Sequence, residues 1–97
     1  MNYRLILRQE AERDLDQAYN WYNEKVPGLG SDFLVIVERT LESIQVNPAR
    51  FPIVYRKVQR ALLRRFPYGI FFVTDGDQIA VLAVIHTARD PDKWRQP

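Results

Sequence analysis

The run Ile79-Ala80-Val81-Leu82-Ala83-Val84-Ile85 constrains the fold more than any other stretch of the chain. Seven consecutive apolar residues, four of them β-branched, read as a strand. Neither of its faces carries a polar residue, so it belongs in the middle of a sheet, covered on both sides or nearly so. At seven residues it is far short of the roughly 18 that a membrane-spanning segment needs. The segment before it supplies a neighbour: Tyr68 to Thr74 is strand-like, and Asp75-Gly76-Asp77 is a tight turn that joins it to the final strand, Gln78 to His86.

The periodicity upstream is different. Ala11, Leu15, Ala18, Tyr19, Tyr22 and Val26 follow helical spacing, which predicts a helix over about 9–25 with one apolar stripe. Glu10, Glu12 and Asp14 lie in its opening turns, where the helix dipole favours acids. Pro27-Gly28 ends it. No serine precedes the helix; Arg8-Gln9 stands there, and a missing side-chain cap costs about 1 kcal/mol. A second helix is predicted from Leu29 or Ser31 to Val46, with Leu29, Phe33, Ile36, Val37, Leu41 and Ile44 as its stripe and Asn47-Pro48 as its stop. The short connection makes the two helices an antiparallel hairpin. Tyr3 to Leu7 reads as an N-terminal strand. Val54 to Val58 reads as a short strand and Arg60 to Phe66 as a longer one. The order is β-α-α-β-β-β, an α+β fold with the helical hairpin packed on one face of an antiparallel sheet. The 97 residues make one domain, 1–97, with no linker and no repeat.

Charge is unevenly spread although the net value is only +2. Residues 1–42 carry five cations and eight acids, and residues 43–97 carry nine cations and four acids. No acid lies between Glu42 and Asp75, yet Arg50, Arg56, Lys57, Arg60, Arg64 and Arg65 do. A one-sided basic region suits an acidic partner, nucleic acid or protein. The same charges serve equally well as solvated guards of a strand edge.

Several chemistries are excluded. The chain has no cysteine and one histidine, which leaves no disulfide, no thiolate nucleophile and no zinc site of the usual kind. Ser31 and Ser43 lack a nucleophile-elbow pattern. Gly28-Leu29-Gly30 follows a helix and lacks the lysine of a phosphate loop. No cofactor, metal or small-molecule substrate is expected. With no signal peptide or membrane span visible, the expected location is the cytoplasm.

The chain resembles the RelE/ParE toxin superfamily in the order and spacing of several stretches. These are Ala11-Glu12-Arg13-Asp14-Leu15, then Tyr19 to Tyr22, Phe33 to Leu41 and Asn47-Pro48. They continue with Arg64-Arg65-Phe66-Pro67-Tyr68-Gly69-Ile70 and Val84-Ile85-His86-Thr87-Ala88-Arg89-Asp90-Pro91, with Trp94 beyond. The paired long helices and the ending near His86 are similar to the ParE branch of plasmid stabilisation proteins. The resemblance implies a toxin of a type II toxin–antitoxin system that inhibits DNA gyrase by binding, and a cognate acidic antitoxin that folds as it binds. The RelE branch implies an alternative, metal-independent mRNA cleavage on the ribosome. A second alternative is a non-toxic module that only retains the antitoxin surface.

The residues weigh against cleavage. RNA cleavage without a metal needs a base, an acid and cations on the phosphate. The resemblance places a key arginine directly after the tyrosine of the meander's third strand; that tyrosine is Tyr68 and the next residue is Gly69. The preceding lysine pair is absent, the stretch reading Arg60-Ala61-Leu62. Were the chain an RNase, its set would be His86, Arg89, Arg64 and Arg60. His86 is the one side chain titrating near neutrality, but a lone histidine ending a strand also reads as a local hydrogen-bonding cap.

For antitoxin binding the candidates are Arg60, Arg64, Arg65, Trp21 and Tyr68. Strand alternation places Arg60, Leu62, Arg64 and Phe66 on one face with Arg65 opposite, and those arginines equally well lie as stems over a sheet face. Trp21 sits roughly 110° from the centre of its helix's stripe. It is therefore exposed, as is Val35 on the second helix, whether as partner contacts or as ordinary surface residues. His86, Arg89, Asp90 and Trp94 are the candidates for contact with the target.

Overall fold

The computed structural model describes residues 2–89 of the chain. Strand β1 (Arg4–Leu7) leads into helix α1 (Gln9–Lys25), helix α2 (Leu29–Val46) and a 3-10 turn over Pro48–Arg50. Four strands follow: β2 (Ile53–Tyr55), β3 (Val58–Leu62), β4 (Tyr68–Asp75) and β5 (Gln78–His86). The fold is α+β as the sequence predicts, but the short strand expected over Val54 to Val58 is divided by a turn at Arg56-Lys57, where Arg56 has φ of 52°, so that its ends belong to β2 and β3 and the order is β-α-α-β-β-β-β. The sheet runs β1-β5-β4-β3-β2. The last four strands form an antiparallel meander, while β1 pairs in parallel with β5, so the sheet is mixed. A parallel neighbour requires a long crossover, and the helical hairpin is part of it.

The hairpin packs on one face of the sheet. Ala11, Ala18 and Tyr22 of α1 and Phe33, Val37 and Ile44 of α2 meet Ala61, Ile70, Phe72, Ile79, Val81 and Val84. Gly30 lets the helices approach: a Cβ there would lie 2.6 Å from the Tyr19 carbonyl oxygen, and the Gly30 N–H donates to Asn23 Oδ1 at 2.8 Å. Helix α1 has no side-chain cap, as Arg8 in the cap position implies. Val26 does not join the apolar stripe; it is 53% exposed, because α1 has ended at Lys25 and the extended backbone turns its side chain away from the helix face.

Strand β5 lies second from the edge and reaches both faces through a bulge. Phe71 pairs with Ala83 but Phe72 with Val81, so Leu82 is an extra residue and the alternation changes parity there. Ile79 and Val81 face the helices before the bulge and Val84 after it. Ala83 and Ile85 turn to the opposite face, where they form a small second cluster with Val58 and Phe71. Val54, Val73 and Leu82 pack against that cluster on the sheet's other side. Among the described residues no helix is long and apolar enough to cross a membrane.

The expected strand from Arg60 to Phe66 is cut short. β3 stops at Leu62, and Arg65 adopts a left-handed backbone with φ of 73°. This reversal drives Phe66 into the core, 5.0 Å from the Tyr22 ring and 5.3 Å from Phe33 between centroids. The Leu63 N–H donates to the Tyr68 carbonyl at 2.9 Å and closes the loop. The alternating arginine face is therefore corrected: Arg60 and Leu62 share the sheet's outer face, Arg64 and Arg65 lie in the loop, and Phe66 is buried.

Candidate functional site

Tyr68 opens β4 opposite His86, the last residue of β5. Both side chains lie on the helix side, with ring centroids 5.2 Å apart. Tyr68 also packs edge-on against Phe33 at 5.2 Å and Tyr22 at 6.1 Å, so its ring is buried. Its hydroxyl accepts a hydrogen bond from Arg89 Nη2 at 2.9 Å. The Arg89 guanidinium also lies 5.4 Å from the centre of the Trp21 ring, and Lys25 Nζ lies 5.1 Å from that ring. Trp21 is 42% exposed, so the two cations hold a partly open indole. Tyr68, His86, Arg89 and Trp21, with Asp14, Gln17 and Ala18, line a cleft of about 230 Å³.

The local bonding fixes the cleft's chemistry. His86 Nδ1 accepts from the main-chain N–H of Ala88 at 3.2 Å and of Arg89 at 3.1 Å. With Nδ1 accepting, the ring proton resides on Nε2, and the imidazole caps the chain as it leaves the strand. Burial pushes the Tyr22 phenol above the usual tyrosine range; the Tyr68 phenol adds to the push and Arg89 opposes it.

Asp14 is a site residue that the helix-dipole reading missed. It is buried, and its carboxylate accepts the Val84 N–H at 2.9 Å. β1 pairs with β5 only as far as Val81, so the next stretch of β5 has no strand on that side. Asp14 satisfies a main-chain donor there that would otherwise be buried without a partner. The signal was in the sequence: an acid three residues after Ala11 and four before Ala18 lies on the apolar stripe itself.

Tyr68, Trp21, His86 and Arg89, which the sequence divided between an antitoxin surface and a target surface, thus meet in one cleft. The arginines go elsewhere. Arg60 lies on the outer sheet face, its Nε buried without a hydrogen-bond partner. Arg65 pairs with Asp32 at 3.4 Å, both exposed. Arg64 lines a separate groove of about 430 Å³ with Ile36, Arg39, Thr40, Ser43, Arg50, Phe51 and Leu62. Asp90 and Trp94 lie outside the described residues.

Gly69 occupies the position at which the resemblance would put a cleaving arginine. It faces the outer side of the sheet, and a Cβ there would come 3.2 Å from Phe71 and 3.5 Å from both Arg60 and Leu62. His86 and Arg89 are on the helix side. The residues of a would-be acid–base set are therefore divided between two faces of the sheet and the groove. Among the described residues no three His, Asp or Glu side chains gather as a metal site would require.

A mixed five-stranded sheet under a helical hairpin, with this cleft at one end, is the α+β frame of the molecule. The family model described as the ParE toxin of type II toxin–antitoxin system, parDE, matches residues 5–91. The chain belongs to that family. It is 26% identical over 93 residues to toxin ParE2 of Mycobacterium tuberculosis, covering 95% of this chain and 89% of the relative. Among solved structures it is similar to a chain of the chromosomal ParDE toxin–antitoxin system from P. aeruginosa, with a TM-score of 0.78, 20% identity and coverage of 87% and 95%. It is also similar to a chain of the RelBE2 toxin–antitoxin complex from Mycobacterium tuberculosis, with a TM-score of 0.63, 21% identity and coverage of 89% and 99%. At these identities the two structures speak for the fold.

Proposed function

We propose that this chain inhibits growth by binding DNA gyrase, not by cutting RNA, and that a cognate acidic antitoxin holds it neutral. The observation that carries this reading is the setting of Gly69. Phase-by-phase, metal-independent RNA cleavage needs cations and a proton-transfer pair converging on one phosphate. Gly69 carries no cation onto the sheet face where Phe71, Leu62 and the stem of Arg60 lie, and a Cβ there would already be tight against the Phe71 ring at 3.2 Å. The two groups best suited to acid–base work, His86 and Tyr68, point to the other side and are engaged with main-chain N–H groups and with Arg89. The cleft they form suits binding: an open indole, a guanidinium and a histidine next to one another. We assign Trp21, His86 and Arg89 to contact with the target.

The test is to induce the chain alone in a bacterial host and follow labelled thymidine and labelled methionine uptake in the same culture. Thymidine uptake falling first is the expected result. Methionine uptake collapsing first would favour the ribosomal RNase and sink the argument from Gly69. No change in either would leave an antitoxin-binding module without toxicity.

A further inference from the structure

Helix α2 carries a second stripe besides the one that packs on the sheet. Phe33, Val37 and Ile44 are buried. Ile36, Arg39, Thr40 and Ser43, at the spacing i, i+3, i+4, i+7, line the groove of about 430 Å³, with Ile36 also packed against the core. Its apolar part is made by Ile36 and Phe51; Leu62 borders it at the end of β3, its side chain turned to the sheet's outer face beside Gly69. Three exposed arginines, Arg39, Arg50 and Arg64, flank it, and no acid lines it. Arg50 is already ordered: its guanidinium donates to the Ser43 hydroxyl and lies 5.1 Å from the centre of the Phe51 ring. Arg39 and Arg64 make no ion pair among the described residues.

We propose that this groove is where the antitoxin docks, through an acidic segment that sets one apolar side chain on Ile36 and Phe51 and directs carboxylates to Arg39, Arg50 and Arg64. The proposal rests on the toxin–antitoxin reading above and gives that partner a surface and a chemistry. Charge complementarity selects the occupant. Three cations around an apolar floor repel a basic partner and would be desolvated without a counter-charge under a purely apolar one, whereas they match carboxylates flanking an apolar anchor. Nucleic acid satisfies the arginines but makes poor use of an apolar floor. A segment that orders on contact meets a lower entropic cost where one guanidinium is already held in place. Arg60, on the outer sheet face, is outside this surface.

The experiment uses the full chain and, as probe, the purified product of the reading frame adjoining its own. Affinity is measured by calorimetry at low and high salt for the wild type and two charge-matched variants. One carries Arg39→Glu, Arg50→Glu and Arg64→Glu. The other carries Arg4→Glu, Arg13→Glu and Lys57→Glu, all exposed and outside the groove. The groove variant is expected to bind on the order of 100-fold more weakly and with less salt dependence, since three attractive contacts become repulsive. The control is expected to stay within roughly threefold, as remote surface charges contribute little. Thermal melts of both variants verify folding. Hydrogen exchange on the unaltered complex gives an independent measure, with protection expected over residues 36–43 and 50–64. Equal weakening of both variants, or tight binding with no protection there, would overturn the groove and leave the toxin reading intact. No binding even by the wild type would overturn both. Self-association of the free wild type that the groove variant abolishes, seen by light scattering, would give the groove to a second copy of the chain and also overturn the proposal.

Discussion

The Tyr68 cleft and the α2 groove lie on the same small domain and are built in opposite ways. In the cleft, polar groups are already engaged: Arg89 with Tyr68 and Trp21, His86 with two main-chain N–H groups, Asp14 with Val84. Its floor is the aromatic core of the domain. In the groove, none of the three arginines makes an ion pair among the described residues, and only Arg50 is held, by the Ser43 hydroxyl and the Phe51 ring. A pre-bonded site changes little when something binds to it, which suits selective contact with one folded target. An under-bonded site has interactions still to make, which suits a segment that acquires its structure on arrival. Both rest on the core, but differently: the cleft's floor is the buried aromatic cluster itself, whereas the groove rests on Ile36 and Phe51, partly buried residues packed against that core.

That contrast can be broken most severely at Phe33. Its ring is fully buried against Tyr22, Phe66 and Tyr68, so Phe33→Ala should cost about 3–5 kcal/mol. In a domain of this size each kcal/mol lowers Tm by about 4–8 °C, so a thermal melt reads the effect directly. A loss below about 1 kcal/mol would mean that the cleft's floor is not the core of the fold. Asp14 gives the next largest effect. Asp14→Leu leaves the Val84 N–H without its acceptor and should cost about 1–3 kcal/mol. Urea unfolding measures the loss, and hydrogen exchange should show faster exchange at Val84 specifically. Unchanged exchange there would show that the carboxylate is not the group capping β5.

The smallest effect is at high pH. Burial raises the Tyr22 phenol, so the neutral form is favoured in the folded chain. Its contribution is fully present below the unfolded tyrosine value of about 10 and is lost as pH rises through the higher folded value. Tyr22→Phe should flatten the alkaline decline in stability seen for the wild type. An identical decline in both proteins would place the titrating group elsewhere.

Local pattern carried most of the fold. The stripe from Ala11 to Tyr22 and the Pro27-Gly28 stop define α1, and the bounds predicted for the last strand are those of β5. What local pattern did not carry depends on distant contacts. The end of β3 is set by the left-handed turn at Arg65, which exists because Phe66 has an aromatic pocket to enter; strand alternation through residue 66 gave no sign of it. The parity change at Leu82 was invisible because the run from Ile79 to Ile85 is apolar on both faces and fits either register. The site was legible as a set of residue types and not as an arrangement. Trp21, Tyr68, His86 and Arg89 were picked out singly, but their meeting depends on α1 crossing the ends of β4 and β5. The Arg39 and Arg50 side of the groove was missed, although Ile36, Arg39, Thr40 and Ser43 have the spacing of one helix face.

The proposed binding to gyrase is tested most directly by the supercoiling of relaxed plasmid by purified gyrase in the presence of the purified chain. The account predicts inhibition by the wild type that is lost in a Trp21→Ala, Arg89→Ala variant that melts as a folded protein. Undiminished supercoiling with the wild type in stoichiometric excess would contradict it.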